Sequence, residues 1–239
     1  MKFLDLTLAT AEQNLALDEA MLEEAEEGRQ PTELLRLWES PRPMVVVGRS
    51  SRVACEVDVA ACQQMQVPVL RRCSGGAAVV AGPGCLMYAV ILSYEKRPCL
   101  RMLDQAHGFV LGVMRRAMET ILEGVEIQGT SDLTRQGRKF SGNSVRCKRH
   151  HLLYHGTILY QFPLPLISQC LTAAPRQPAY RQQRSHDQFV DNFPAGRETL
   201  RQAIRQAWSA AELISEWPRE RVEQLVAERY ANESWNRRL

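Results

Sequence analysis

Arg71–Val80 reads RRCSGGAAVV: two cations, a small hydroxyl, two glycines and then an apolar run. The glycines sit between two strand-like segments, VPVLRR before them and AAVVA after them. A Walker loop or a dinucleotide-binding turn runs instead from a strand into a helix, and SGGAA matches neither GxxxxGK(S/T) nor GxGxxG. Working outward, MVVVG at 44–48 follows two prolines and LMYAVILSY at 86–94 is a longer apolar run, so both read as buried strands. Residues 10–28 read as an amphipathic helix that Thr10 caps and Gly28 ends. Leu103, Ala106, Val110, Val113, Ala117 and Ile121 place a second helix over 101–122. VEIQG, RKFSGNSVR and LLYHGTILYQF read as three strands, the last two joined by the basic turn CKRHH. Helices are expected near 164–171, 197–213 and 218–230. This order lacks the regular alternation of a doubly wound fold and predicts an α+β domain with a mixed, largely antiparallel sheet flanked by helices.

The bulk numbers narrow the function classes. A chain of 239 residues with 45% hydrophobic and 24% charged residues is neither disordered nor fibrous, and one domain over 1–239 is expected, with no accessory C-terminal domain. The net charge of +3 is small and its cations are dispersed, which argues against nucleic acid and for an acidic small molecule or protein patch. The start, MKFLDLTLAT, is not a secretory signal, and no apolar run approaches the roughly 18 residues of a spanning helix, so no membrane partner is expected. Seven cysteines, odd in number and irregularly spaced, read as reduced thiols of a cytoplasmic protein rather than a zinc site.

Four segments carry candidate chemistry, each beside a plainer reading. Gly75 and Gly76 let a backbone approach a ligand closely, and Arg71 and Arg72 offer forked donors to carboxylate or phosphate. Strand alternation sends the two arginines to opposite faces, and the same loop also reads as a turn with surface arginines. Asp132 and Lys139 bracket a turn at Gln136–Gly137, which brings them to one end of a hairpin either as a site or as a solvated pair. His155, before Gly156 in an apolar strand, reads as a core histidine or a ligand-facing one. In YRQQRSHDQFVDNF (180–193), Arg184 and His186 either line a site or belong to a packed surface loop.

Taken in order, NLALDEAMLEE, LLRLWESPRPMVVVGRSS, RRCSGGAAVV, SDLTRQGRKFSGNSVR and YHGTILYQF resemble the lipoate–protein ligase A and octanoyltransferase superfamily, which is related to the biotin–protein ligases. The resemblance covers most of residues 10–195, including RRxSGGGAV-like and GRKxSGxAxR-like segments. It implies a biotin/lipoate ligase-like fold and a reaction in two halves. Lipoate and ATP give lipoyl-AMP, and the acyl group then passes to a lysine of a lipoyl carrier domain. By the same resemblance, Lys139 would be the catalytic cation, and Arg71, Ser74, Gly75, Gly76 and Ala77 would line the lipoyl and phosphate channel. Gly142 and His155 would complete the substrate and ATP contacts, and Asp132 would orient the adenylate or hold Mg2+.

Two departures stand out. The family's third glycine is Ala77, and the histidine often found after the following strand is Ala81. A separate accessory subunit, or a transferase that needs no ATP, is therefore a rival expectation. A thioester transferase needs an activated cysteine; Cys170 falls in one family window but within the apolar LPLISQCL, which reads as buried structure. A non-catalytic acyl- or carrier-binding homologue is the remaining alternative, and biotin ligation is a lesser one.

Overall fold

Among the described residues, 1–28, 32–172 and 177–239, the computed structural model forms eleven strands. They are β1 (Lys2–Asp5), β2 (Leu34–Trp38), β3 (Met44–Val47), β4 (Val69–Arg71), β5 (Val79–Ala81) and β6 (Cys85–Ser93), then β7 (Val125–Gln128), β8 (Asp132–Arg135), β9 (Arg138–Cys147), β10 (His151–Leu159) and β11 (Glu212–Leu213). Eight of them build one sheet in the order β11-β1-β2-β6-β10-β9-β8-β7, and a small sheet holds β4-β3-β5. The large sheet is antiparallel from β2 to β7, while β1 runs parallel to both β2 and β11. The small sheet pairs β3 parallel with β4 and antiparallel with β5. The α+β architecture with a mixed, largely antiparallel sheet is therefore what forms.

Alternation along β6 and β10 explains why the large sheet is covered on both faces. Met87, Ala89 and Ile91 of β6 and Leu153 and Leu159 of β10 join one apolar cluster with α1 (Ala11–Glu27). Leu86, Tyr88 and Val90, with Leu152, Tyr154 and Ile158, point the other way, onto α2 (Leu103–Glu119) and α3 (Arg197–Ala207). Each of the larger apolar side chains contributes about 1.5–3 kcal/mol on leaving water, so all three helices are fixed by side chains of the same two strands. Thr10 caps α1 through the Gln13 amide in a reciprocal capping box, and Gly28 follows its end, as the sequence predicts. No helix among the described residues is long and apolar enough to cross a membrane.

Three differences from the sequence reading matter. The helix predicted over 197–213 ends at Ala207, because Ser209 takes a left-handed conformation (φ 48°) and the chain then runs beside β1. Strands β1 and β2 were not apparent in sequence; they are four and five residues long, and β2 carries the charged Arg36 in its middle. The segment predicted as a helix over 218–230 starts as α4 (Arg219–Leu225) and widens into a π turn at Val226–Tyr230 before a short helix at Glu233–Asn236.

Candidate functional site

The loop between β4 and β5 is built by its two arginines rather than decorated by them. Arg71 is fully buried, and its guanidinium donates to the carbonyls of Gly48 (2.7 Å), Ser51 (2.8 Å), Trp235 (3.1 Å) and Asn236 (3.1 Å). It does not line the cleft described below, which corrects its assignment to the channel. Arg72 is also buried. It donates from Nη1 to Val46 O (2.9 Å), from Nη2 to Gly75 O (2.5 Å) and Ala77 O (2.9 Å), and from Nε to Ser74 Oγ (3.2 Å). Burial pushes the Arg72 guanidinium down to about 10, so it stays charged at neutral pH. Strand alternation thus sends the two arginines to different partners, and both serve the backbone.

That arrangement has a consequence for the loop's own donors. The carbonyls of Gly75 and Ala77 turn toward Arg72, and Ser144 Oγ on β9 adds a third donor to Gly75 O at 2.8 Å. The backbone N–H groups of Gly75, Gly76 and Ala77 have no partner among the described residues. Gly76 adopts φ 87°, and a Cβ on Gly48 would sit 1.9 Å from Gly76 O, so two glycines are needed for this close approach. Successive free N–H groups beside a charged arginine suit an anion.

Gly76 and Ala77 form one wall of a cleft of about 500 Å³. Leu15, Val46, Val80, Met87, Leu159 and Ile167 make it apolar, while Asp132, Lys139, Ser141, Asn143, His155 and Thr157 supply polar groups. Gly142 lines it too. Ser74 and Gly75 do not; Ser74 is buried behind the wall and Gly75 is exposed outside it. Ala81 is a buried residue of β5 itself, paired with Met44, and does not line the cleft.

Lys139 reaches the cleft because of an irregularity in the β8–β9 pairing. Leu133 faces Ser141 while Thr134 faces Lys139, so β9 carries one extra residue there. Such a bulge re-aims its neighbours. The Lys139 ammonium lies 2.7 Å from Asp132 Oδ1, and a Cβ on Gly142 would come within 2.9 Å of Nζ, so the glycine leaves it room. Tyr180 donates its hydroxyl to the other Asp132 oxygen at 2.7 Å; burial and that carboxylate both push its phenol up.

A second polar chain runs behind the loop. Arg72 Nε donates to Ser74 Oγ, which lies 2.5 Å from His155 Nε2. The Ser74 hydroxyl thus accepts from Arg72 and makes a second hydrogen bond with the imidazole. Nδ1 faces Asp18 Oδ2 at 3.6 Å, and Asp18 is paired with the buried Arg36 at 2.6 Å. His155 is therefore both a wall of the cleft and a strut of the loop.

Sequence reasoning missed Asn143, Arg181 and Ser144. Asn143 accepts from the Tyr88 hydroxyl at 2.5 Å and donates to Ser131 O at 2.8 Å, fixing the segment before Asp132. A Cβ on Gly156 would strike Asn143 Oδ1 at 1.8 Å, which is the signal hidden in the His155–Gly156 pair. From the 180–193 stretch, Arg181 and His186 line the cleft but Arg184 does not; its guanidinium donates to the carbonyls of Gly137, Tyr180 and Arg181.

The surroundings of Asp132 and of Cys170 bear on two further readings. Asp132 is engaged by Lys139 and Tyr180 on its two oxygens, and no group of three metal-ligating side chains gathers among the described residues. Protein side chains alone therefore form no three-ligand magnesium site among the described residues. Cys170 is fully buried, lies outside the cleft wall, and has its thiol pushed to about 12 by burial beside Cys62. It is not an activated nucleophile.

Comparison with known proteins follows this geometry. A Mycoplasma pneumoniae protein named "Probable lipoate-protein ligase A" is 27% identical over 147 residues, 62% of this chain and 42% of that protein, so the match spans less than half of that relative. The octanoyltransferase LipM of Oceanobacillus iheyensis is 28% identical over 190 residues, 67% of this chain and 68% of that one. In fold, the chain superposes on a bipartite lipoate protein ligase from Thermoplasma acidophilum, studied with its E2 lipoyl domain, with a TM-score of 0.84 at 19% identity. That match covers 99% of this chain and 95% of the other. A lipoate-protein ligase A bound with ATP gives a TM-score of 0.74 at 22% identity, covering 99% of each chain. Residues 10–217 match the model of the lipoyl protein ligase A/B catalytic domain, and the chain belongs to that family.

Proposed function

We propose that this chain is a lipoate–protein ligase: it joins lipoate to ATP as lipoyl-AMP and transfers the acyl group to a lysine of a lipoyl carrier domain. The observation that carries the reading is a cleft that offers a cation and free amides but no thiol. None of the seven free cysteines lines its wall. A transferase working through a thioester needs a nucleophile there, whereas adenylation needs only groups that stabilise charge.

In the first half-reaction a carboxylate oxygen attacks the α-phosphorus and pyrophosphate leaves. Lys139 stabilises the negative charge that builds between them, and the Gly76 and Ala77 amides hold phosphate oxygens. In the second, the carrier's amine attacks the acyl carbon and AMP leaves, with the same ammonium facing the carbonyl oxygen. Lys139 is paired to Asp132, so its position is set before substrate arrives, and preorganised charge is what lowers such barriers. The apolar walls, Met87 and Leu159 among them, suit a medium-length acyl chain. Names of relatives support both lipoate ligation and octanoyl transfer, and the thiol-free wall favours the former.

The test is intact-mass analysis of a lipoyl carrier domain incubated with the chain, lipoate and Mg-ATP, beside Lys139→Ala. Gain of one lipoyl mass with release of AMP, lost in the variant, supports the ligase. Transfer only from an acyl-carrier donor, without ATP, overturns it.

A further inference from the structure

We infer that Asn236, with Trp235, is a positioning residue for the glycine loop of the cleft. It acts through Arg71. Asn236 Oδ1 accepts the Arg71 backbone N–H at 2.9 Å, and the Trp235 indole donates to Arg71 O at 2.9 Å. The carbonyls of Trp235 and Asn236 take two further bonds from the guanidinium. On its other side, Arg71 donates to Gly48 O and Ser51 O, and Ser51 Oγ donates to Gly76 O at 3.0 Å. Asn236 is thus linked to Gly76 through one side chain and one turn.

The 235–236 segment is itself held. Asn236 Nδ2 donates to Tyr230 O at 2.9 Å, and the Tyr230 hydroxyl donates to Glu19 of α1 at 2.7 Å. Arg238 stacks on the Trp235 ring at 3.9 Å and donates to Arg49 O at 2.8 Å. A buried backbone N–H left without its acceptor is costly, so loss of Asn236 Oδ1 moves the strand end that carries Arg71 and Arg72. The apolar walls at Met87, Leu159 and Ile167 share none of these contacts. The ligand-binding part of this inference rests on the nucleotide reading of the loop; the backbone part does not.

The experiment uses the full chain with Asn236→Ala, with Asn236→Asp, which keeps the Oδ1 acceptor, and with Trp235→Phe, which keeps the stacked ring. Amide exchange is read at Arg49, Arg72 and Ala78, whose N–H groups bond across the loop to Ser74 O, Val47 O and Glu56 Oε2. Tripolyphosphate and lipoate binding are read by calorimetry. Asn236→Ala is expected to speed those three amides and to weaken tripolyphosphate by about tenfold, with lipoate changed less than about twofold. Asn236→Asp keeps the acceptor for Arg71 but loses the donor to Tyr230 O, so it recovers part of both, and Trp235→Phe moves them in the same direction by less. Faster exchange confined to residues 226–239, or spread evenly over the chain, overturns the inference, as does equal weakening of both ligands. If the unaltered chain binds no tripolyphosphate, the nucleotide reading fails, and the three amides still decide the positioning role.

Discussion

Lys139 and Asp132 stand 2.7 Å apart across a hairpin whose extra residue turns the lysine into the cleft. The pair is partly open to solvent, so its value lies in fixing the ammonium rather than in stability, where such pairs give about 1 kcal/mol or less. Lys139→Ala is therefore expected to slow AMP release by about 10²–10³-fold while leaving the melting temperature nearly unchanged. Parallel activity assays and thermal melts check this, and a large fall in melting temperature would count against it. Gly142→Ala should act in the same direction, since its Cβ would crowd Nζ at 2.9 Å.

Gly75 in the loop and Gly48, which packs against the loop from the end of β3, supply an internal comparison. A Cβ on Gly48 would lie 1.9 Å from Gly76 O, whereas one on Gly75 would meet nothing. Gly48→Ala is expected to cost about 1–3 kcal/mol and to abolish nucleotide binding, while Gly75→Ala keeps a fold of normal stability. Urea titrations and nucleotide calorimetry on the two variants are the check; equal effects would contradict the loop geometry.

Thiol chemistry separates the two enzyme readings. Cys55, Cys99 and Cys147 are exposed, whereas Cys62, Cys73, Cys85 and Cys170 are buried. Burial pushes the Cys85 and Cys170 thiols to about 12, so neither is a thiolate at neutral pH. Peptide mapping after brief maleimide treatment should find label on the exposed three alone, with ligase activity retained. Cys170→Ser should also keep activity.

The turn that joins β9 to β10 has its own acid sensitivity. Glu26 accepts the N–H groups of Arg149, His150 and His151. Burial alone would raise its carboxyl, but those three bonds outweigh it and hold the group below the usual range. A depressed folded value means stability present above the unfolded value and lost as pH falls through the folded one. Glu26→Gln is expected to lose about 1 kcal/mol at neutral pH, after screening by solvent, and to converge on the unaltered chain in acid. Melting curves from neutral pH downward test it; a constant gap at all pH values would contradict the assignment.

How much of this could be read in advance differs by link. The buried strands β6 and β10 announce themselves because long segments dominated by apolar, strand-favouring residues and bounded by turn signals have few other destinations. Lys139, Asp132, Gly76 and Ala77 were legible as candidates because their hairpin and glycine motifs are local in sequence. The role of Arg71 was not. Its partners are Gly48, Ser51, Trp235 and Asn236, and no local pattern signals a bond across 165 residues. Asn143 and Gly156 were missed for the same reason: their fit is made between neighbouring strands, and only the register brings them together.

The central claim is adenylation, and lipoate-dependent exchange of labelled pyrophosphate into ATP measures it without any carrier protein. Exchange that requires lipoate and is lost in Lys139→Ala is the expected result. Absence of exchange, together with capture of an octanoyl group on the chain as a hydroxylamine-labile thioester, would contradict it and establish the transferase.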